Sequence, residues 1–249
     1  TLKTRFFILT AGRTGSSLLS AILHDAGADF GVPRAISWAA TDGAYEHPTL
    51  KSIALNSKKM LQFGETKPLE IKNRPFWSFH RHKMRSDLRN LLREVPFLKG
   101  DLNNLVHQSA SLGYQPIVII SFRSFEGYLP SVSQLHPQSP TFHANTYNNF
   151  YKDALALLTI YGGCCIDYRD LTNKDELQWA EFLGLATGLK SESILGARND
   201  RSRGELEADT VLEVFPSCKE TYNQLRAASQ HHFSPSRAAL RTYRSKKQH

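Results

Sequence analysis

The residues best placed to do chemistry in this chain form a short turn between a strand and a helix. The turn, Ala11-Gly12-Arg13-Thr14-Gly15-Ser16-Ser17, follows an apolar run over 5–10 and precedes an apolar-periodic segment over 16–26. Glycines, a cation and hydroxyls at a helix start expose backbone N–H groups, and the helix dipole favours negative charge there. The pattern predicts an anion-binding loop, which suits a phosphorylated ligand.

A second predicted strand also ends at a cation. Residues 116–122 are apolar on both faces, as expected of a central parallel strand, and Arg123 follows them directly. Ser131 comes eight residues later, in a segment predicted to be helical over 128–136. Arginine offers a rigid fork of donors to phosphate oxygens, and a serine hydroxyl adds a neutral donor. This pair predicts a second phosphate contact.

The first loop departs from the Walker pattern of nucleotide kinases. That pattern has four residues between its glycines, then Lys and Ser/Thr, with a downstream Asp for magnesium. Here only two residues separate Gly12 from Gly15, and the cation, Arg13, lies between them. A P-loop kinase is therefore a weaker interpretation of the loop.

Both junctions resemble motifs of the sulfotransferases that use 3′-phosphoadenosine-5′-phosphosulfate (PAPS). Segment 13–18 is similar to the 5′-phosphosulfate loop of that family, and Arg123 with Ser131 is similar to its 3′-phosphate motif. The family usually has Arg-Asp-Pro at the strand end, where this chain has Arg123-Ser124-Phe125. The resemblance implies that PAPS is bound by Gly12, Arg13, Thr14, Gly15, Ser16, Ser17, Arg123 and Ser131, with a further contact from Arg203.

The resemblance extends over most of the chain. Segments 27–33 and 42–48 look like the acceptor-side region of bacterial sulfotransferases. Segment 165–171, followed by 179–185, is similar to the family's strand, turn and helix, with Arg169 in place of the usual Glu. The resemblance thus implies a P-loop-like, three-layer α/β domain over 1–249. Its reaction would be metal-free transfer of a sulfuryl group from PAPS to a hydroxyl acceptor such as a glycan, lipid or phenol.

Sulfuryl transfer needs a cation at the leaving phosphate and a base at the acceptor hydroxyl. Arg13 is the candidate cation, and Lys99 aligns with a family Lys-x-His element as a second one. Asp101 occupies the His position of that element, whereas bacterial relatives use an acceptor-side Glu, which points to Glu46. We prefer Glu46, because Asp101 also has the sequence pattern of a helix N-cap. His47 and His136 are reserve candidates.

Composition agrees with a nucleotide-binding α/β protein without deciding the function. The chain has 249 residues, is 41% hydrophobic, and carries 31 Lys and Arg against 23 Asp and Glu, a net charge of +8. The aromatic residues lie within apolar runs and not along a basic stripe, so nucleic acid is not an expected partner. Three cysteines suggest no disulfide framework, and with no apolar membrane span the expected location is cytoplasmic.

The order of predicted elements indicates a parallel sheet covered by helices on both faces. An irregular acceptor-side region with helical stretches occupies about 27–95, and a basic tail occupies about 234–249. The strands are predicted over 5–10, 96–99, 116–122 and 164–168, and the helices over 16–26, 101–112, 128–136, 144–161, 173–183, 206–214 and 218–230. The main alternative to an enzyme is a nucleotide-binding or nucleic-acid-binding module, which would need the phosphate contacts but no base.

Overall fold

The computed structural model describes part of the chain, namely residues 3–28, 76–80, 106, 110, 114–173, 175–201 and 215–236. The strands are β1 (Lys3–Thr10), β2 (Phe76–His80), β3 (Tyr114–Phe122) and β4 (Gly163–Asp167). The helices are α1 (Ser16–Asp25), α2 (Phe125–Leu135), α3 (Pro140–Tyr161), α4 (Tyr168–Thr172), α5 (Gln178–Thr187), α6 (Ser191–Arg201) and α7 (Pro216–Ser229).

The strands form one parallel sheet in the order β2-β1-β3-β4. Thr10 of β1 pairs with Ser121 of β3, and Phe122 pairs with Asp167 of β4, so the carboxyl ends of the three strands meet at one edge. The chain goes from β1 to β2 on one side and from β3 to β4 on the other. The strand order therefore reverses between β1 and β3, which is where open α/β sheets form their ligand crevice.

Two apolar clusters cover the two faces of the sheet. Phe7 and Leu9 of β1 pack with α2, α3 and α7, whereas Phe6 and Ile8 pack with α1, α5 and α6. Because successive residues of a strand point to opposite faces, burial on both sides favours consecutive apolar residues, as over 6–9 of β1. The described residues thus confirm an α/β protein with a parallel sheet.

Several helix and strand boundaries differ from the predicted ones. The helix predicted over 173–183 corresponds to α5, which begins later, at Gln178, and ends at Thr187, and the short helix α4 before it was not predicted. The carboxylate of Asp167 accepts the N–H of Arg169 at 3.0 Å, so a helix begins directly after β4, and the extended Asn173 ends it. Tyr168 therefore belongs to α4 and not to the predicted strand over 164–168.

Other differences concern segments where local signals were misread or missing. Ser139 caps α3 and Pro140 occupies its first turn, so this helix begins earlier than the predicted residue 144. Strand β2 lies inside the region predicted to be irregular, and no helix was predicted at α6. The predicted strand 96–99 and helix 206–214 lie outside the described residues. Within 101–112, only residues 106 and 110 are described, and both are helical.

A buried polar cluster ties α7 to the end of β4. Asp167, which is 1% exposed, accepts a hydrogen bond of 2.7 Å from the hydroxyl of Tyr222. Arg226 forms ion pairs with Asp167 and with Asp170 of α4. Burial raises the pKa of Asp167, and the hydrogen bond from Tyr222 partly offsets that shift. The cluster therefore holds a desolvated carboxylate that depends on its partners.

Removal of the cation from this cluster should destabilise the fold. We expect Arg226→Met to lower the free energy of unfolding by about 3 kcal/mol at neutral pH, because it leaves buried carboxylates without a counter-charge. Without Arg226 the folded-state pKa of Asp167 rises further above its ordinary value of 3.8. Protonation of Asp167 then removes its unpaired buried charge. The loss of unfolding free energy in Arg226→Met should therefore shrink as the pH falls toward that value. Urea unfolding at several pH values measures both effects.

Lys219 supplies the control for this stability measurement, because it lies on the same helix and is exposed. Lys219→Met should change the free energy of unfolding by less than about 0.5 kcal/mol. A loss in Arg226→Met that grew toward acid pH would contradict the assignment.

Candidate functional site

The loop between β1 and α1 has an unusual backbone. The φ angle is +83° at Gly12, +58° at Arg13 and +81° at Gly15. Glycine adopts these angles readily, whereas a residue with a side chain there costs of order 1–3 kcal/mol. Arg13 is the only non-glycine with a positive φ in the described part of the chain. Such strained positions cluster at ligand-binding sites, so Arg13 is a candidate binding residue on conformational grounds as well.

A buried set of hydroxyl groups fixes this loop to the neighbouring strand. The Thr14 hydroxyl donates to the carbonyl oxygen of Ser121 at 3.1 Å and shares a hydrogen bond of 2.6 Å with the Thr10 hydroxyl. In return, the Ser121 hydroxyl donates to the carbonyl oxygen of Thr14 at 3.0 Å. The N–H of Gly12 donates to Thr10 Oγ1 at 3.0 Å. The Thr14 side chain thus holds the loop in place through hydrogen bonds within the protein.

A hydrogen bond joins the two predicted motifs. Arg13 Nε donates to Ser131 Oγ at 2.8 Å, although 118 positions separate the two residues in the sequence. Both side chains are half-buried, and the bond connects the loop after β1 to helix α2. The cation of one motif and the hydroxyl of the other therefore lie together at the edge where the strand order reverses.

Helix α3 fixes the end of β3, where Arg123 lies. The Tyr147 hydroxyl donates to the carbonyl oxygen of Arg123 at 2.7 Å, and the Tyr151 hydroxyl donates to that of Ser121 at 2.9 Å. Burial raises the pKa of Tyr147 well above its ordinary value, so this hydroxyl remains a neutral donor at neutral pH. The backbone on which Arg123 depends is thus held by buried tyrosines.

Ser124 is the N-cap of the helix that follows Arg123. Its side chain accepts the N–H of Gly127 at 3.3 Å and caps the N-terminus of α2. A serine N-cap satisfies one of the otherwise unpaired N–H groups of the first helical turn. The helix that carries Ser131 therefore begins directly after Arg123.

Tyr168 is a site residue to which the sequence analysis assigned no role. Its ring centroid lies 4.9 Å from Cζ of Arg123, which is cation–π distance. The ring also contacts Gly15, since a Cβ at that position would lie only 2.9 Å from Cε2 of Tyr168 and closer still to Cδ2. The sequence showed only that Tyr168 is an aromatic residue at the end of a predicted strand, and the pairing of that strand with β3 places it beside Arg123.

The structure describes most of the predicted nucleotide-binding residues. Gly12, Arg13, Thr14, Gly15, Ser16 and Ser17 form the loop and the start of α1, Arg123 follows β3, and Ser131 lies in α2. Ser16 is buried and Ser17 is half-buried. The reserve base His136 caps the C-terminus of α2, and its carbonyl oxygen lies 3.0 Å from the ring Nε2 of His143. Four further predicted site residues lie outside the described residues, namely Glu46, Lys99, Asp101 and Arg203, as does His47.

The described ranges contain neither a cluster of metal-binding side chains nor an exposed thiol. No group of three or more His, Cys, Asp and Glu residues suited to a metal ion occurs among them. The cysteine thiols are buried, and burial raises the pKa of Cys164 to about 12, which keeps it from being a thiolate at neutral pH.

No helix in the described ranges has both the length and the apolar character needed to cross a bilayer.

Two cations and a hydroxyl therefore lie around a glycine-containing loop at one edge of a parallel sheet. This arrangement can bind an anion with more than one phosphate group, because each cation is supplied by a different strand end. Comparisons of the chain with protein-family models, with curated proteins and with solved structures find no match.

Proposed function

We propose that this protein is a PAPS-dependent sulfotransferase with a P-loop-like, three-layer α/β fold. In this proposal the loop over 12–17 holds the 5′-phosphosulfate group, and Arg123 with Ser131 holds the 3′-phosphate. A hydroxyl-bearing glycan, lipid, phenol or other small molecule would accept the sulfuryl group.

The hydrogen bond between Arg13 and Ser131 is the observation that carries the proposal. Each motif alone is compatible with an ordinary turn or a solvated strand end. Because β1 and β3 are neighbours in the sheet, the segments that follow them lie side by side, and this bond brings the cation of one motif to the hydroxyl of the other. A nucleotide with phosphates at both ends of its ribose needs such proximity, because it must contact both strand ends at once.

The reaction requires few groups from the protein. The acceptor oxygen forms a bond to sulfur as the bond between sulfur and the bridging phosphate oxygen breaks, which releases 3′-phosphoadenosine-5′-phosphate (PAP). A carboxylate, Glu46 or Asp101, takes the proton of the acceptor hydroxyl. Arg13 and Lys99 neutralise the negative charge that develops on the leaving phosphate. Arg203 would add a contact to the 3′-phosphate.

A transfer assay tests this proposal. Radiolabelled PAPS should donate its sulfate to at least one member of a panel of glycans, phenols, sterols and hydroxylated lipids, and Arg13→Ala should abolish the transfer. If PAP is bound tightly but no acceptor class is ever sulfated, the protein is a nucleotide-binding module and not an enzyme.

A metal-chelation experiment separates sulfuryl transfer from phosphoryl transfer. We expect excess EDTA to leave the rate of sulfate transfer essentially unchanged, because the proposed site neutralises the leaving group with arginine and lysine side chains. Phosphoryl transfer from a nucleoside triphosphate needs magnesium to bridge the phosphates. Abolition of activity by EDTA together with rescue by magnesium would favour a P-loop kinase. The measurement is the initial rate with and without chelator.

A further inference from the structure

The guanidinium group of Arg123 lies close to two structural features outside the predicted motifs. The first is the ring of Tyr168, whose centroid is 4.9 Å from Cζ. A cation held over an aromatic face is attracted by the ring quadrupole, and the flat guanidinium group suits such stacking. Tyr168 begins α4, directly after β4, so its backbone is fixed by the sheet and by the capping carboxylate of Asp167.

The other feature is Gly127, in the first turn of α2. A Cβ at this position would lie 2.9 Å from Cζ of Arg123 and nearer still to Nε. The missing side chain therefore leaves the space that the guanidinium group occupies. Glycine in a helix is otherwise less favourable than alanine by about a factor of five in the helix equilibrium. A helical glycine at this position is thus explained by the place it makes for Arg123.

Tyr168 also contacts the anion-binding loop. A Cβ at Gly15 would overlap its ring, so the same tyrosine lies against the loop and beneath the cation that ends β3. A change in the position of this ring would move Arg123 relative to Gly15. The ring therefore sets the spacing between the two predicted phosphate-binding elements.

We propose that Tyr168 and Gly127 are positioning residues that hold Arg123 for a 3′-phosphate and thereby set the preference of the site for 3′-phosphorylated nucleotides. The inference rests on the proposed function. It assigns neither residue a direct contact with the reacting atoms, because both act through the guanidinium group of Arg123.

Calorimetry with PAP and AMP tests this inference, and the readout is the ratio of the two affinities. Tyr168→Leu should lower the ratio about fivefold or more, whereas Tyr168→Phe keeps the aromatic face and should leave it unchanged. Gly127→Ala should also lower the ratio, because its Cβ displaces the guanidinium group while alanine favours the helix. In an Arg123→Ala background, Tyr168→Leu should have no further effect on the ratio.

The possible outcomes are distinguishable. If Tyr168 had only a structural role, Tyr168→Leu would weaken the binding of PAP and of AMP equally, and its effect would add to that of Arg123→Ala. This result would overturn the inference. An unchanged ratio in both Tyr168→Leu and Gly127→Ala overturns it as well, while the proposed function stands. If Tyr168→Leu does not fold, Gly127→Ala decides. Failure of the unmodified protein to prefer PAP over AMP overturns the 3′-phosphate assignment and this inference with it.

Discussion

Calorimetry should show that the protein binds PAP roughly 10²–10⁴-fold more tightly than AMP, which lacks the 3′-phosphate. The expected size follows from the contacts that AMP cannot make. Arg123 and Ser131 would each contribute about 1.5–3 kcal/mol as charge-assisted hydrogen bonds to that phosphate. Equal affinity for the two nucleotides would remove the 3′-phosphate from the proposal.

Arg123→Ala should erase most of this preference. We expect it to weaken the binding of PAP by roughly 10- to 100-fold and to leave the binding of AMP nearly unchanged, because AMP has no 3′-phosphate for Arg123 to contact. The backbone there should tolerate the change, since Tyr147 bonds to the carbonyl oxygen and not to the side chain. Arg169→Ala is the matched control: it removes an equal charge from an exposed residue one position beyond Tyr168, and should leave the affinity ratio unaltered.

Glu46→Gln should lower the rate of sulfate transfer by roughly 10²–10⁴-fold, the usual scale for loss of a general base. Glutamine keeps the shape of glutamate but accepts no proton from the acceptor hydroxyl. The affinity for PAP should stay the same, because Glu46 is proposed to act on the acceptor and not on the nucleotide. Single-turnover transfer rates and PAP calorimetry on the same variant measure the two effects separately.

Two further variants test whether Glu46, and not another residue, acts as the base. Arg13→Ala should lower both the affinity for PAP and the rate, because the cation would contact the donor in the ground state and in the transition state. Asp101→Asn should leave the rate near normal if that residue only caps a helix. If Asp101→Asn greatly lowered the rate of sulfate transfer while Glu46→Gln left it almost unchanged, Asp101 would be the base. Normal turnover in both variants would direct attention to His47 and His136.

Local patterns were enough to identify β1 and β3 and the loops that follow them. A strand buried on both faces is apolar over most of its length, and such a run is visible in the sequence without any knowledge of its partners. The loop over 12–17 was likewise visible, because glycines and hydroxyl residues before a helix are a local signal. Helix boundaries were less well predicted: the carboxylate of Asp167 caps α4 directly after β4, whereas the predicted strand extended to residue 168 and no helix was predicted there.

The tertiary structure decided which of these residues lie together. Whether Arg13 and Ser131 meet depends on β1 and β3 being neighbours in the sheet, and strand order is set by packing over the whole domain, not by local sequence. The inward direction of the Thr14 hydroxyl depends on the Ser121 carbonyl of the adjacent strand. Tyr168 acquires its place beside Arg123 only because β4 pairs with β3 in one register. The sequence by itself thus identified the two junctions that we predict to bind anions, and only the fold could bring them together, because contacts between distant segments leave no periodic signal in either one.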